Sequence, residues 1–181
     1  MLEENAEENI VETNFNQFVN VIGKLKNDNI DMLIESESAR LATSPSNAQK
    51  DEFGCYNGGM IQDTLNILDA MRKLDIVAGK TADQKALYKV ALLHNIGTIG
   101  STGDDMFLPQ DSEWHIEKLG HIYKKNKFLK NSNTERTFQF LFKYGVTLTM
   151  EEFDAILSVD KESPLNYLGQ LLCASRILIC K

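Results

Sequence analysis

Apolar residues recur at intervals of three and four along most of this chain, and its 181 residues include only three prolines. Such spacing lays apolar side chains along one stripe of a 3.6-residue helix, whereas a half-buried strand needs strict alternation. The pattern therefore predicts an all-α protein in which almost nothing reads as a strand. Phe15, Phe18, Val19, Ile22 and Leu25 form the first stripe, and a second helix is expected over 30–42. Residues 43–50 read as a loop by composition. Gly58-Gly59 then opens a helix carrying Met60, Ile61, Leu65, Leu68, Met71 and Leu74 and ending near Gly79.

The later helices carry start signals. Thr81 with Gln84, Ser132 with Glu135 and Thr149 with Glu152 have the spacing of a capping box, in which two side chains satisfy backbone N–H groups left free at a helix N-terminus. Ser163-Pro164 fits an N-cap followed by Pro at the first helical position. Helices are thus expected over 82–96, 113–129, 133–144, 150–159 and 164–179, with the longest loop at 97–111. The expected architecture is a single-domain bundle of about seven helices over 13–181, behind an acidic, flexible leader at 1–12. At this length folding buries roughly 70% of the unfolded chain's surface, enough for a core without disulfides or a structural metal. Trp114, Phe138, Phe140, Phe142 and Tyr144 are expected to pack in it.

Charge narrows the partners. With 26 acids against 19 bases the formal net charge is −7, which argues against a surface that coats nucleic acid or anionic membrane. The charge is uneven: residues 1–40 hold nine acids and three bases, and residues 117–143 hold seven bases and two acids. Within the basic segment Lys118, Lys124 and Arg136 are candidate contacts for the phosphates of a nucleotide or, less in keeping with the overall charge, of a nucleic acid. The same lysines also fit a solvated face, or a surface that the acidic leader covers in this chain or in a neighbouring one. Cys55, Cys173 and Cys180 are odd in number and lack CxxC spacing, as in a reducing, intracellular compartment. No apolar run approaches the roughly 18 residues of a membrane span, and the acidic N-terminus is unlike a signal peptide. A cytoplasmic protein with no membrane partner is expected. His115 and His121, six apart on the expected helix, face different directions and make no i, i+4 metal pair. No Gly-x-Ser-x-Gly, phosphate-binding loop or dinucleotide fingerprint is present, so serine hydrolase, kinase, GTPase and dehydrogenase chemistry lack support.

The most informative segment is Val90-Ala91-Leu92-Leu93-His94-Asn95-Ile96-Gly97-Thr98-Ile99-Gly100, an apolar helix ending in a His, an amide and a glycine. Alone, His94 reads as a hydrogen-bonded core residue. With its neighbours it resembles the His-Asp-Ile/Leu-Gly-Lys signature of the HD-domain metal-dependent phosphohydrolases. Upstream, Tyr56-Asn57-Gly58-Gly59-Met60-Ile61-Gln62-Asp63-Thr64-Leu65 is similar to a Tyr-Pro-Gly-Gly-Leu-x-Glu-His-Ser-Leu stretch of a phage and bacterial branch of that family, with Asp63 at the place of its His. Downstream, 114–120 and 132–137 resemble the stretch around a further His, where Asn133 stands. Val159-Asp160 is similar to a family His-Asp, and Leu171-Leu172-Cys173-Ala174-Ser175 to the closing helix, with Ser175 at the last ligand. The similarity covers about residues 53–176.

In that family the resembled positions hold one or two metals that activate a water for attack on phosphorus. Here they read Asp63, His94, Asn95, Asn133, Val159 and Ser175, and only His94 keeps the family's residue type. Asn95 replaces an anionic ligand by a neutral amide, Val159 coordinates nothing, and Thr98 replaces the signature's Lys. The resemblance thus implies a pseudoenzyme that binds a protein partner or a small phosphate-containing ligand near His94, Asn133 and Arg136, needing no cofactor. The alternative it leaves open is a residual phosphohydrolase. In that case Asp63 and His94, joined by Asp104 or Asp105 from the glycine-rich loop, hold a divalent Mn, Mg, Ni or Fe. The resembled branch also implies a phage-encoded accessory protein working in the host cytoplasm.

Overall fold

The computed structural model describes residues 2–161 and 163–179. The three-and-four spacing is realised there as nine α-helices: α1 (Leu2–Ile22), α2 (Asp28–Ser36), α3 (Ser38–Thr43), α4 (Gly59–Val77), α5 (Gln84–Leu93), α6 (Glu113–Leu119), α7 (Asn133–Lys143), α8 (Met150–Lys161) and α9 (Tyr167–Ile179). Four short strands, β1 (Gly100–Ser101), β2 (Asp104–Asp105), β3 (Phe107–Pro109) and β4 (Tyr123–Lys125), form two antiparallel pairs, β1 with β2 and β3 with β4. The core lies between α4, α5, α8 and α9, where Ile67, Met71, Leu87, Val90, Leu93, Ile156 and Leu172 are fully buried.

The helix count exceeds the expected seven partly because the second helix divides at Glu37. This buried carboxylate accepts hydrogen bonds from Tyr144 Oη at 2.7 Å, Arg40 Nη1 at 2.9 Å and Lys143 Nζ at 3.2 Å. Burial opposes its charge, but these three donors outweigh burial and hold its pKa below the usual carboxylate value. Helix α1 begins at Leu2; Val11, within the stretch 1–12, lies against Gly58, and beyond that stretch Asn14 Nδ2 donates to Gln62 Oε1 at 2.7 Å.

Capping chemistry explains where the other boundaries fall. At α7 both halves of the box form: Glu135 N donates to Ser132 Oγ at 3.1 Å, and Ser132 N to Glu135 Oε2 at 2.7 Å. At α8 Thr149 and Glu152 do the same, and Glu152 also accepts from Lys89 Nζ at 2.8 Å. The Thr81 box does not form. The N–H groups of Thr81 and Ala82 instead donate to the buried Asp75 Oδ1, at 3.1 and 3.0 Å, and Asp83 caps α5 through Ala86 N. Gln84 and Tyr167 also donate to Asp75. Burial opposes this carboxylate's charge as well, but its four donors lower its pKa. At α9 the cap is Asn166, whose Oδ1 accepts from Gly169 N, and not Ser163.

The helix expected over 113–129 stops at Leu119, because Gly120 adopts a left-handed φ of 64° and the chain turns into β4. That reversal leaves Trp114 exposed, and Phe142, on the outer side of α7, is exposed too; Phe140 alone of the expected aromatics is fully buried. Helix α7 is the element that closes the site described below, and Ser132 holds it twice, donating Oγ–H to Asp160 Oδ2 at 2.6 Å as well as capping it. Ser132→Ala is expected to cost about 1–2 kcal/mol, read as a lower urea midpoint.

Candidate functional site

The C-terminus of α5 delivers His94 into the interior, where it is 1% exposed. Its Nδ1 lies 2.8 Å from Ala91 O. A carbonyl only accepts, so Nδ1 carries the hydrogen and Nε2 presents a lone pair. Nε2 is buried and has no hydrogen-bond partner among the described residues. Burial, reinforced by the positive charge of Arg176 and opposed by the bond to Ala91, lowers the pKa from 6.5 to about 3, so the ring is neutral at neutral pH.

A 3-10 turn at Ile96–Ile99 follows, and α7 packs directly on it. Gly97 makes this approach feasible: an added Cβ would stand 2.1 Å from Asn133 O and 2.5 Å from Thr137 N. Backbone bonds lock the contact, with Gly97 N donating to Thr137 Oγ1 at 2.9 Å and Arg136 Nε donating to Gly97 O at 2.8 Å. Arg136 Nη1 also donates to Asn131 O. Asn95 Oδ1 accepts from Thr98 Oγ1 at 2.6 Å and from Asn133 Nδ2 at 2.8 Å. From α4, Asp63 is 4% exposed and its Oδ2 accepts from Ser46 Oγ at 3.2 Å.

These groups surround a cavity of about 370 Å³. Of the six positions singled out in the sequence, Asp63, Asn95 and Asn133 line it, together with Thr98 and Arg136. The other three do not. His94 and Ser175 are buried in the wall with Nε2 and Oγ unpaired among the described residues, and Val159 packs partly buried against the core. The cavity also gathers residues the sequence did not point to: Phe53, Phe107, Lys125 and Arg176. Lys125 replaces Lys124 because side chains alternate along β4; Lys124 lies outside the cavity lining and pairs with Asp111. Lys118 is exposed on α6, away from the lining. For Arg176 the only available signal was its place directly after Ser175.

The basic segment 117–143 is not one continuous face. Lys124, Arg136 and Lys143 are engaged internally, by Asp111, by Gly97 and Asn131, and by Glu37. The two histidines expected to diverge instead stack, with ring centroids 6.2 Å apart, because α6 ends at Gly120 and His121 N returns to His115 O. Asp105 Oδ1 accepts from Arg40 Nε at 2.7 Å and Asp104 is exposed on β2, so neither acid reaches Asp63 or lines the cavity.

The residues present do not suit a metal. The pose of His94, with Nδ1 fixed by a carbonyl and Nε2 open, is that of an imidazole ligand. Yet among the described residues no group of three or more His, Cys, Asp or Glu is placed to hold an ion. Asn95 Oδ1 already accepts two hydrogen bonds, and Arg176 brings a positive charge to the same cavity. No protein-family model, curated protein or solved structure matches the chain. No described helix is long and apolar enough to cross a membrane.

Proposed function

We propose that the chain is a degenerate HD-domain protein that acts by binding, its cavity taking a small phosphate-bearing ligand such as a nucleotide without hydrolysing it. The observation carrying this reading is the lining itself. Asp63, Asn95, Asn133 and Arg136 meet at one cavity lined by three cations, Lys125, Arg136 and Arg176, and by the carboxylates of Asp51, Glu52 and Asp63, and among the described residues no trio of donors is placed to hold a metal. Its volume falls within the about 300–1,000 Å³ of small-molecule sites. Phe53 and Phe107 supply aromatic surface for a base, and Asn133, the first residue of α7, sets the positive end of that helix's dipole at the cavity. Catalysis is poorly served. A ring whose pKa is about 3 is a weak proton acceptor near pH 7.

The ligand-like pose of His94 favours a second reading, a residual phosphohydrolase using Asp63 and His94. Elemental analysis and nucleotidase screens with manganese, nickel and magnesium decide between the two. We expect no stoichiometric metal and no turnover. A nucleotide at 100 times its Kd is expected to add about 2.7 kcal/mol of stability, a rise in Tm of about 5–10 °C. Bound metal with turnover that disappears in His94→Ala establishes the second reading instead.

A further inference from the structure

Among the cavity's three cations, two have other tasks. Arg136 spends Nε and Nη1 on Gly97 O and Asn131 O, holding the turn and the loop before α7. Lys125 is exposed on the short strand β4. Arg176 differs from both. It projects from α9, which packs against α4, α8 and α5, it is half-buried, and it forms no ion pair or hydrogen bond with another described residue. A guanidinium in that setting has lost part of its hydration and has not regained it from the protein, and an anion entering the cavity would restore it.

Its neighbours fit the same purpose. Ser175, one residue earlier, is fully buried with its Oγ unpaired among the described residues, and His94 is neutral. Of the cavity's acids, Asp51 and Glu52 are exposed, where water screens them, whereas Asp63 is buried and accepts from Ser46 Oγ. A divalent ion placed here would meet a fixed positive charge and too few donors. An oxyanion would meet a planar fork of five N–H donors that needs no loading.

We propose that Arg176 stands in for a metal ion in this cavity: its guanidinium directly holds an oxyanion of the phosphate class, making binding independent of divalent cations. The inference rests on the reading of the cavity as a ligand site, and it commits that reading to one residue and one electrostatic device. It also gives the cavity a cationic centre although Asn95 offers a neutral amide in place of an anionic ligand.

Isothermal titration with pyrophosphate and with AMP, in excess EDTA and again with Mn²⁺, tests it on the full chain. Wild-type protein should bind in EDTA, with an affinity that Mn²⁺ changes by less than about twofold. Arg176→Ala should weaken binding about 10- to 100-fold, the loss of one or two charge-assisted hydrogen bonds, with Arg176→Lys intermediate because it keeps the charge without the fork. Lys125→Ala should weaken it less than Arg176→Ala does. Because Arg176 forms no hydrogen bond or ion pair with another described residue and its charge only opposes protonation of His94, both its variants should keep the wild-type circular dichroism spectrum and urea midpoint at neutral pH. Binding that appears only with Mn²⁺, or an Arg176→Ala protein that binds as tightly as wild type, overturns the role of Arg176 and leaves the cavity a ligand site. Absence of binding by the wild type in both buffers removes the ligand site and the proposal together.

Discussion

Gly97→Ala is expected to destabilise the protein by about 3 kcal/mol or more, because the added methyl meets backbone and not a flexible side chain. The new Cβ would lie 2.1 Å from Asn133 O and 2.5 Å from Thr137 N, so α7 must move away from the 3-10 turn as a unit. That movement breaks the bonds of Gly97 with Thr137 and Arg136 and separates Asn133 from Asn95, which opens the cavity on one side. Stability and ligand binding should therefore fall together. Gly23→Ala is the control: nothing lies within 4 Å of its added Cβ, and the change should be neutral or slightly stabilising. Urea unfolding followed by far-UV circular dichroism reads both variants. A Gly97→Ala protein within about 1 kcal/mol of wild type would show that α7 does not rest on this turn.

What could be read from the sequence was what short-range physics decides. Helical period and the boxes at Ser132 and Thr149 depend on residues within one turn, and both formed. The box at Thr81 failed because a competitor lay outside that window: Asp75 had already taken the two N–H groups. The end of α6 was signalled by Gly120, but the return of the chain as β4 depends on pairing with Phe107–Pro109, which no local pattern encodes. The site divides in the same way. Asp63, Asn95, Asn133 and Arg136, singled out from stretches that resemble family motifs, line one cavity. Arg176 and Lys125 were missed because reaching the cavity depends on the rotation of α9 and the twist of a three-residue strand. The pose of His94, with Nδ1 tied to Ala91 O, likewise follows from packing at the end of α5 and not from the motif's letters.

Acid should destabilise this protein well above the range where carboxylates titrate, and His94 should be the main cause. In the folded state burial, with Arg176 adding to it, lowers the ring's pKa from 6.5 to about 3. Between those values the unfolded chain binds a proton there and the folded chain does not, so stability must fall as pH falls. The slope approaches about 1.4 kcal/mol per pH unit, and the loss from pH 6.5 to pH 4 is roughly 3 kcal/mol. Below about pH 3 both states are protonated and the contribution is fully lost. His94→Asn isolates the effect, since its amide can still donate to Ala91 O but does not titrate. The variant starts less stable at neutral pH, because a smaller side chain leaves part of a buried site empty. Its stability should then decline more slowly, so that the two urea-denaturation curves of stability against pH converge between pH 6.5 and 4. The convergence matters beyond stability. It measures the cost of charging His94, and thereby tests whether the neutral ring assigned to the wall of the cavity persists at neutral pH. Parallel curves would mean that the ring is hydrated in the folded protein, and that its unpaired Nε2 is open to solvent instead of sealed in the wall.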